Sequence, residues 1–164
     1  GARVYAELAG FGCTSDAFHV VAPPEDGNGA SRAISQALSD SGVAPEDVDY
    51  VNAHATSTQV GDSAETNALK DVFGKHAYKL AISATKSLIG HGLGASGGME
   101  TVATVKTIAE GLIHPTINLA NPDPTCDLDY VPEGARKKNV RVALKNSFGF
   151  GGQNSCLILA RYEP

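Results

Sequence analysis

The sequence predicts an α/β fold: a mostly parallel five-stranded sheet with an antiparallel last strand and helices on its faces. Three observations carry this expectation. Apolar periodicity alternates along the chain as strand, helix, strand, helix, strand, helix, strand, strand, an order that packs helices against a mainly parallel sheet. Only the glycine turn at residues 149–152 separates the last two strands, which suits an antiparallel neighbour and leaves no room for a crossover. Hydrophobic residues make up 42% and charged residues 19% of the 164, an ordinary globular composition. A chain of this length can bury about 68–70% of the surface it exposes when unfolded.

Each element has its own signal. Residues 4–9 read as the first strand, leading into a turn at Gly10 and Gly12. Residues 14–27 are polar, with Pro23, Pro24 and an Asp26-Gly27 pair, and read as an irregular loop. Ala30, Ala33, Ile34, Ala37 and Leu38 recur at helical spacing until Gly42 stops the run. Pro45, Glu46 and Asp47 form a short turn before a strand at 48–51 and a polar loop from His54 to Thr58. Asp62 followed by Glu65 reads as a capping box opening a helix that runs to about Phe73. Residues 80–82 form a short strand, and Met99, Val102, Ala103, Val105, Ile108 and Ala109 mark a longer helix of small apolar residues. Pro115, Pro122, Pro124 and Pro132 keep residues 112–136 extended or looped. Residues 140–144 and 155–160 are the closing strands. No repeat or linker divides the chain, so it forms one α/β unit.

Thirteen basic against eighteen acidic residues leave a net charge of −5, which argues against binding to a phosphate backbone. No apolar run approaches the roughly 18 residues of a membrane span, and residues 1–4 lack a signal-peptide layout. Neither nucleic acid nor membrane is an expected partner. Cys13, Cys126 and Cys156 are widely spaced and form no Cys-x-x-Cys pair. They read as small hydrophobes in a reducing compartment.

Ligands of open parallel sheets collect beyond the carboxyl ends of the strands. His54, Thr56 and Thr58 follow the second strand, Thr85, Lys86 and His91 the third, and Asn146, Phe148, Gly149, Gly151 and Gly152 the fourth. Two histidines, a lysine and a glycine-rich turn are thus expected on one edge, a pattern that suits catalysis. Competing readings are weaker. Gly92, Gly94 and Gly97 match G-x-G-x-x-G, but about ten residues separate them from the preceding strand and no acidic residue follows at the required distance. Small residues there serve close helix packing. His54 and His91 with His114 or Asp62 have no recognised metal-ligand spacing, and no G-x-S-x-G elbow supports a serine nucleophile. Read without context, Asp62 and Glu65 are helix-cap residues, Glu100 a solvated helix face, and His19, His76 and His114 surface positions.

Three motifs carry a family resemblance. Val51-Asn52-Ala53-His54-Ala55-Thr56-Ser57-Thr58 with Gly61-Asp62 resembles the first histidine motif of the condensing enzymes. Ser83-Ala84-Thr85-Lys86-Ser87-Leu88-Ile89-Gly90-His91 resembles their lysine and second-histidine motif, and Asn146-Ser147-Phe148-Gly149-Phe150-Gly151-Gly152 their glycine-rich gate. The order is that of the elongating β-ketoacyl-acyl carrier protein synthases, closest to the type II enzyme, and the resemblance runs from about Val4 to the end. His54-Ala55-Thr56-Ser57-Thr58 and the second phenylalanine, Phe150, lean towards fatty acid synthesis and away from modular polyketide ketosynthases. Ala55, where glycine is commoner, resembles plastid, mitochondrial and cyanobacterial variants. Family members consist of two thiolase-type halves, with the nucleophilic cysteine in the first. None of the three cysteines here sits in a matching motif, so residues 1–164 are expected to be the C-terminal thiolase-like half alone, unable by itself to form the acyl-enzyme.

The resemblance implies an acyltransferase chemistry: decarboxylative Claisen condensation of malonyl-acyl carrier protein with an acyl-enzyme thioester. It implies His54, His91 and Lys86 as catalytic residues, the two histidines as oxyanion donors and Lys86 paired with Glu100. Thr56 and Thr58 match hydroxyls that hold the phosphopantetheine arm, Phe148 and Gly149 match the gate at the acyl pocket, and Glu100, Asp62 and Glu65 support the site. No permanently bound cofactor is implied; the phosphopantetheine arm of acyl carrier protein is the substrate carrier. The implied partners are acyl carrier protein, the N-terminal half and, at full length, a second subunit in a homodimer. The implied compartment is the cytoplasm, or the plastid or mitochondrial matrix in a eukaryote. A chain-length-factor-like silent partner and a polyketide ketosynthase are the alternatives. The silent partner need not keep both histidines and the lysine, all of which this chain has.

Overall fold

A computed structural model describes residues 1–163. In chain order its elements are β1 (Glu7–Ser15), α1 (Asn28–Ser41), β2 (Tyr50–Asn52), α2 (Gln59–Phe73), β3 (Ala81–Ser83), α3 (Lys86–Ile89), α4 (Ser96–Glu110), β4 (Leu112–Ile113), β5 (Arg136–Lys137), β6 (Val142–Gly149) and β7 (Gln153–Ala160). Five strands form one mixed sheet in the order β1-β7-β6-β2-β3. β6, β2 and β3 pair in parallel, whereas β7 is antiparallel to both β6 and β1. Every strand but β7 therefore points the same way. The α/β class and the antiparallel last strand agree with the sequence expectation, and inserting β7 between β1 and β6 makes two of the ladders antiparallel.

The sheet is apolar on both faces because both are covered. Val51, Ile82, Leu144 and Ile158 face one side and pack against Ala33, Ile34 and Ala37 of α1 and Leu69 and Phe73 of α2. Their chain neighbours Tyr50, Ala81, Ala143 and Leu159 face the other side and pack against Ile108 of α4, Ile113, Val131 and Val140. Adjacent residues pointing to opposite faces is the period-two geometry of a strand.

Two local expectations change. Gly10 and Gly12 do not turn the chain but lie within β1. A Cβ on Gly10 would stand 2.8 Å from Ser41 Cβ, and one on Gly12 2.8 Å from Ala37 N. The glycines thus let α1 rest directly on the strand backbone. The looped stretch at 112–136 begins with β4, which pairs antiparallel with β5 in a separate two-stranded ribbon; two-residue strands are too short for periodicity to reveal. On α4, Ile108 joins the core while Val102 is 64% exposed and Met99 39% exposed. The expected apolar stripe therefore passes from core to surface. No helix among the described residues is long and apolar enough to cross a membrane.

Candidate active site

β2 lies between β6 and β3, so the loop after it is flanked by the carboxyl ends of both neighbours. His54 stands two residues past β2, and its backbone is held from two sides. On the α2 side, the His54 and Ala55 N–H groups donate to the two oxygens of Glu65 at 2.9 Å each, and Asn146 Nδ2 donates to Oε1 at 2.9 Å. Ala55 has a φ of +35°, which is unfavourable for a residue with a Cβ; the carboxylate that takes its N–H holds it there. Burial pushes the Glu65 carboxyl up, and the donors from Ala55, Asn146 and His54 pull it back down.

This geometry corrects the capping-box reading. The helix starts at Gln59 with Thr58 as its N-cap, and no side chain caps it. Glu65 reaches back to the histidine loop, and Asp62 Oδ1 accepts from Ser57 N–H at 3.1 Å. Both acids brace the loop that precedes their helix.

On the α4 side, Lys86 at the start of α3 donates to the His54 carbonyl and pairs with Glu100 Oε1. Glu100 is 1% exposed, so it lies on the inner face of α4 and not on a solvated one. Lys145 of β6, also buried, lies 3.3 Å from Glu100 Oε2. Glu100 therefore sits between two lysines.

The partners define both imidazole tautomers. Lys86 Nζ, a donor only, lies 3.4 Å from His54 Nδ1, so Nδ1 accepts and Nε2 carries the hydrogen. His91 Nδ1 accepts from Leu93 N–H at 3.0 Å and lies 3.0 Å from Ser96 Oγ, which again puts the hydrogen on Nε2. The two rings stand 6.1 Å apart at 88°, and Phe148 tilts against His54 at 5.4 Å between centroids. The site is thus two neutral N–H donors beside an aromatic wall.

Burial, then the charge of Lys86 and more weakly that of Lys145, lower the His54 imidazole from 6.5 to about 3. Unfolded His54 binds a proton below about 6.5, whereas the folded ring does not until about 3. Between these values the unfolded state holds more protons, so this residue makes the fold lose stability as pH falls through the window. Urea unfolding from pH 7 to pH 4 is expected to show a shallower acid loss in His54→Gln than in wild type. Parallel profiles would count against a neutral, desolvated His54.

The remaining predicted residues lie around this centre. Thr56 and Thr58 bring their hydroxyls to 3.2 Å where the loop enters α2. Gly149 ends β6, and the turn after it is anchored to the loop following β1. Gly151 N–H donates to Val20 O and Asp16 N–H to Gly152 O, both at 2.8 Å. Gly151 and Gly152 have φ values of +83° and +75°, the left-handed region that favours glycine.

Two histidines assigned to the surface are half-buried. His114 joins a polar network under the site, with Nε2 2.9 Å from Thr85 Oγ1 and 3.3 Å from Tyr50 OH, while Asn52 Nδ2 donates to Thr85 Oγ1 at 2.8 Å. Burial lowers the His114 imidazole. His76 Nε2 lies 2.9 Å from Val48 O. His19 is exposed, as expected, and accepts from Val21 and Ala22 N–H groups. Lys145 escaped the sequence reading altogether.

The fold and the three strand-end clusters are those of a thiolase-like domain, and residues 5–120 match the family described as Beta-ketoacyl synthase, C-terminal domain. The chain belongs to that family. Among curated relatives, it is 57% identical over 163 residues to 3-oxoacyl-[acyl-carrier-protein] synthase 2 of Synechocystis sp., covering 99% of this chain and 39% of the relative. Identity to the synthase 2 of Coxiella burnetii is 51% over 160 residues, covering 98% of this chain and 39% of the relative. The chain therefore spans about two fifths of these relatives' length. Among solved structures, a beta-ketoacyl synthase from Burkholderia phymatum superposes with a TM-score of 0.93 at 40% identity, over 99% of this chain and 39% of that one. A complex described as a type II PKS acyl-carrier protein with its ketosynthase bound to the hexaketide gives a TM-score of 0.97 at 40% identity, over 99% of this chain and 40% of that one.

Proposed function

We propose that this chain is the C-terminal half of a 3-oxoacyl-[acyl-carrier-protein] synthase and supplies the malonyl side of its active site. The observation that carries the reading is the pair of neutral imidazoles, each with its Nδ1 occupied and its Nε2–H free to donate among the described residues. In the condensation, the bond between the malonyl α-carbon and its carboxyl group breaks, and carbon dioxide leaves. The electron pair passes into an enolate whose charge rests on the thioester oxygen. That carbon then attacks the acyl thioester, a carbon–carbon bond forms, and the cysteine thiolate of the preceding half departs. The Nε2–H groups of His54 and His91 donate to the enolate oxygen, each such donor typically being worth about 2.7–4 kcal/mol. Lys86 holds the His54 peptide and Glu100 holds Lys86. Thr56 and Thr58 bind the phosphopantetheine arm of acyl carrier protein, and Phe148 with Gly149 gates the acyl pocket.

Relatives at 51–57% identity named as 3-oxoacyl-[acyl-carrier-protein] synthase 2 support this reading over a polyketide ketosynthase. The intact set of His54, His91, Lys86 and Glu100 argues against a silent partner subunit. The test is to supply the complete enzyme with acyl and malonyl carrier protein and follow the β-ketoacyl product by mass spectrometry. Absence of product would overturn the assignment.

The half-enzyme reading also has a physical consequence. Leu93 is 78% exposed and Phe150 77% exposed, and Val102 and Met99 of α4 are also uncovered. On this reading the N-terminal half covers these side chains in the complete enzyme, and a second subunit completes a homodimer. The chain alone is expected to self-associate. Sedimentation velocity showing one monomeric species across a wide concentration range would count against it.

A further inference from the structure

Among the described residues, Lys145 is the one buried cation near the site to which the reaction outlined above gives no task. It is 3% exposed, on the central strand β6. Its Nζ packs beneath the first turn of α4, where a Cβ built on Gly97 would lie 3.5 Å from it. Both circumstances disfavour an ammonium: burial removes its water, and a helix N-terminus presents partial positive charge. Its offset is Glu100 Oε2 at 3.3 Å. Lys86 already occupies the other oxygen of that carboxylate, so charge pairing alone does not require a second lysine.

We propose that Lys145 is a positioning residue of the condensation, the far end of a clamp that fixes the His54 peptide from β6. Two consecutive residues of this strand work on opposite faces of the sheet. Asn146 points to the α2 side and holds Glu65, which takes the His54 N–H. Lys145 points to the α4 side and holds Glu100, which holds Lys86, which takes the His54 carbonyl. Both polar ends of the His54 residue's backbone are thereby tied to a single strand, which holds the peptide that carries the ring against a shift of its loop. Glu100 is the hinge of this arrangement: its Oε2 makes no hydrogen bond, so the 3.3 Å ion pair with Lys145 is what favours the carboxylate orientation that aims Oε1 at Lys86. The same ammonium adds its charge to that of Lys86 in keeping His54 neutral. Burial lowers Lys145 itself while Glu100 raises it, the balance expected of a cation retained by one partner.

The proposal rests on the synthase reading, and the experiment separates the two. In the complete enzyme, Lys145→Met keeps the side-chain length and removes the charge. Malonyl-acyl carrier protein decarboxylation is expected to fall about tenfold in kcat, as for a sub-ångström misplacement of a donor when a full ångström costs about a hundredfold, with KM little changed. Acyl transfer to the cysteine, which forms no enolate, is expected to keep its rate, and the melting temperature to hold because Lys86 still pairs with Glu100. Lys145→Gln, which keeps a donor for Glu100, is expected to recover part of the rate and gives the same readouts if the methionine variant does not fold. Decarboxylation at the wild-type rate in Lys145→Met would overturn the clamp, as would an equal fall in both half-reactions together with the melting temperature. Wild-type enzyme that performs neither half-reaction would overturn the synthase reading itself, and the clamp with it.

Discussion

Given acyl and malonyl carrier protein, the 164-residue chain by itself is expected to form no β-ketoacyl product, while the complete enzyme forms it. Carbon–carbon bond formation here needs a thiolate to carry the acyl group beside the enolate. None of the three cysteines can serve. Cys13 is exposed on β1 and pairs across to Ser155, at the far edge of the sheet from β2 and β3. Cys126 is half-buried in the loop between β4 and β5, with Thr66 Oγ1 at 3.4 Å. Cys156 is fully buried in the core beneath α1 and α2, and desolvation raises its thiol far above the ordinary range. The loss is expected to be complete, because water offers no substitute for an acyl-enzyme in condensation. Product formed by the chain alone, detected by mass spectrometry and surviving replacement of all three cysteines, would overturn the half-enzyme reading.

The fold was legible wherever a local pattern coincided with burial. α1 announced itself because Ala33, Ile34, Ala37 and Leu38 all face the sheet, and the central strands because both faces are apolar. Legibility failed where tertiary contact inverted a residue's ordinary meaning. Gly10 and Gly12 signal a turn in isolation, yet in β1 they accommodate a helix. Glu65 stands at a capping distance from Asp62, yet its carboxylate serves His54 and Ala55. The strand β6 seemed to stop at Leu144 because Lys145 is charged and Asn146 polar, and both are buried at 3% and 0% exposure. That misplaced boundary hid Lys145, since a lysine just past a strand end reads as solvated. The catalytic candidates were visible as three clusters at strand ends, a consequence of topology that needs no contact map. Their mutual bracing was not visible, because the bonds from Glu65 to Asn146 and from Lys86 to Glu100 join segments 81 and 14 residues apart.

Replacing His91 by alanine in the complete enzyme is expected to slow malonyl decarboxylation and condensation by about a hundredfold or more, the usual cost of an oxyanion donor. The site's geometry isolates this effect from folding. His91 lies on the exposed loop between α3 and α4, and its Nδ1 serves only Leu93 N–H and Ser96 Oγ. Truncation therefore leaves Leu93 N–H to water and Ser96 on its helix, and creates no core cavity. His54 is a poorer probe. Its peptide anchors Glu65 and Lys86, and its ring packs on Phe148, so a substitution there mixes packing with chemistry. Single-turnover assays of the two half-reactions supply the discrimination. On the proposed mechanism decarboxylation places negative charge on the oxygen assigned to His91 Nε2–H, whereas acyl transfer to the cysteine develops its charge elsewhere, so only the former should fall steeply. The remaining His54, held neutral down to about pH 3, still donates one hydrogen bond, which leaves measurable residual decarboxylation. If His91→Ala slowed both half-reactions equally, His91 would be a structural residue of its loop, and the two-donor arrangement would not be the source of enolate stabilisation.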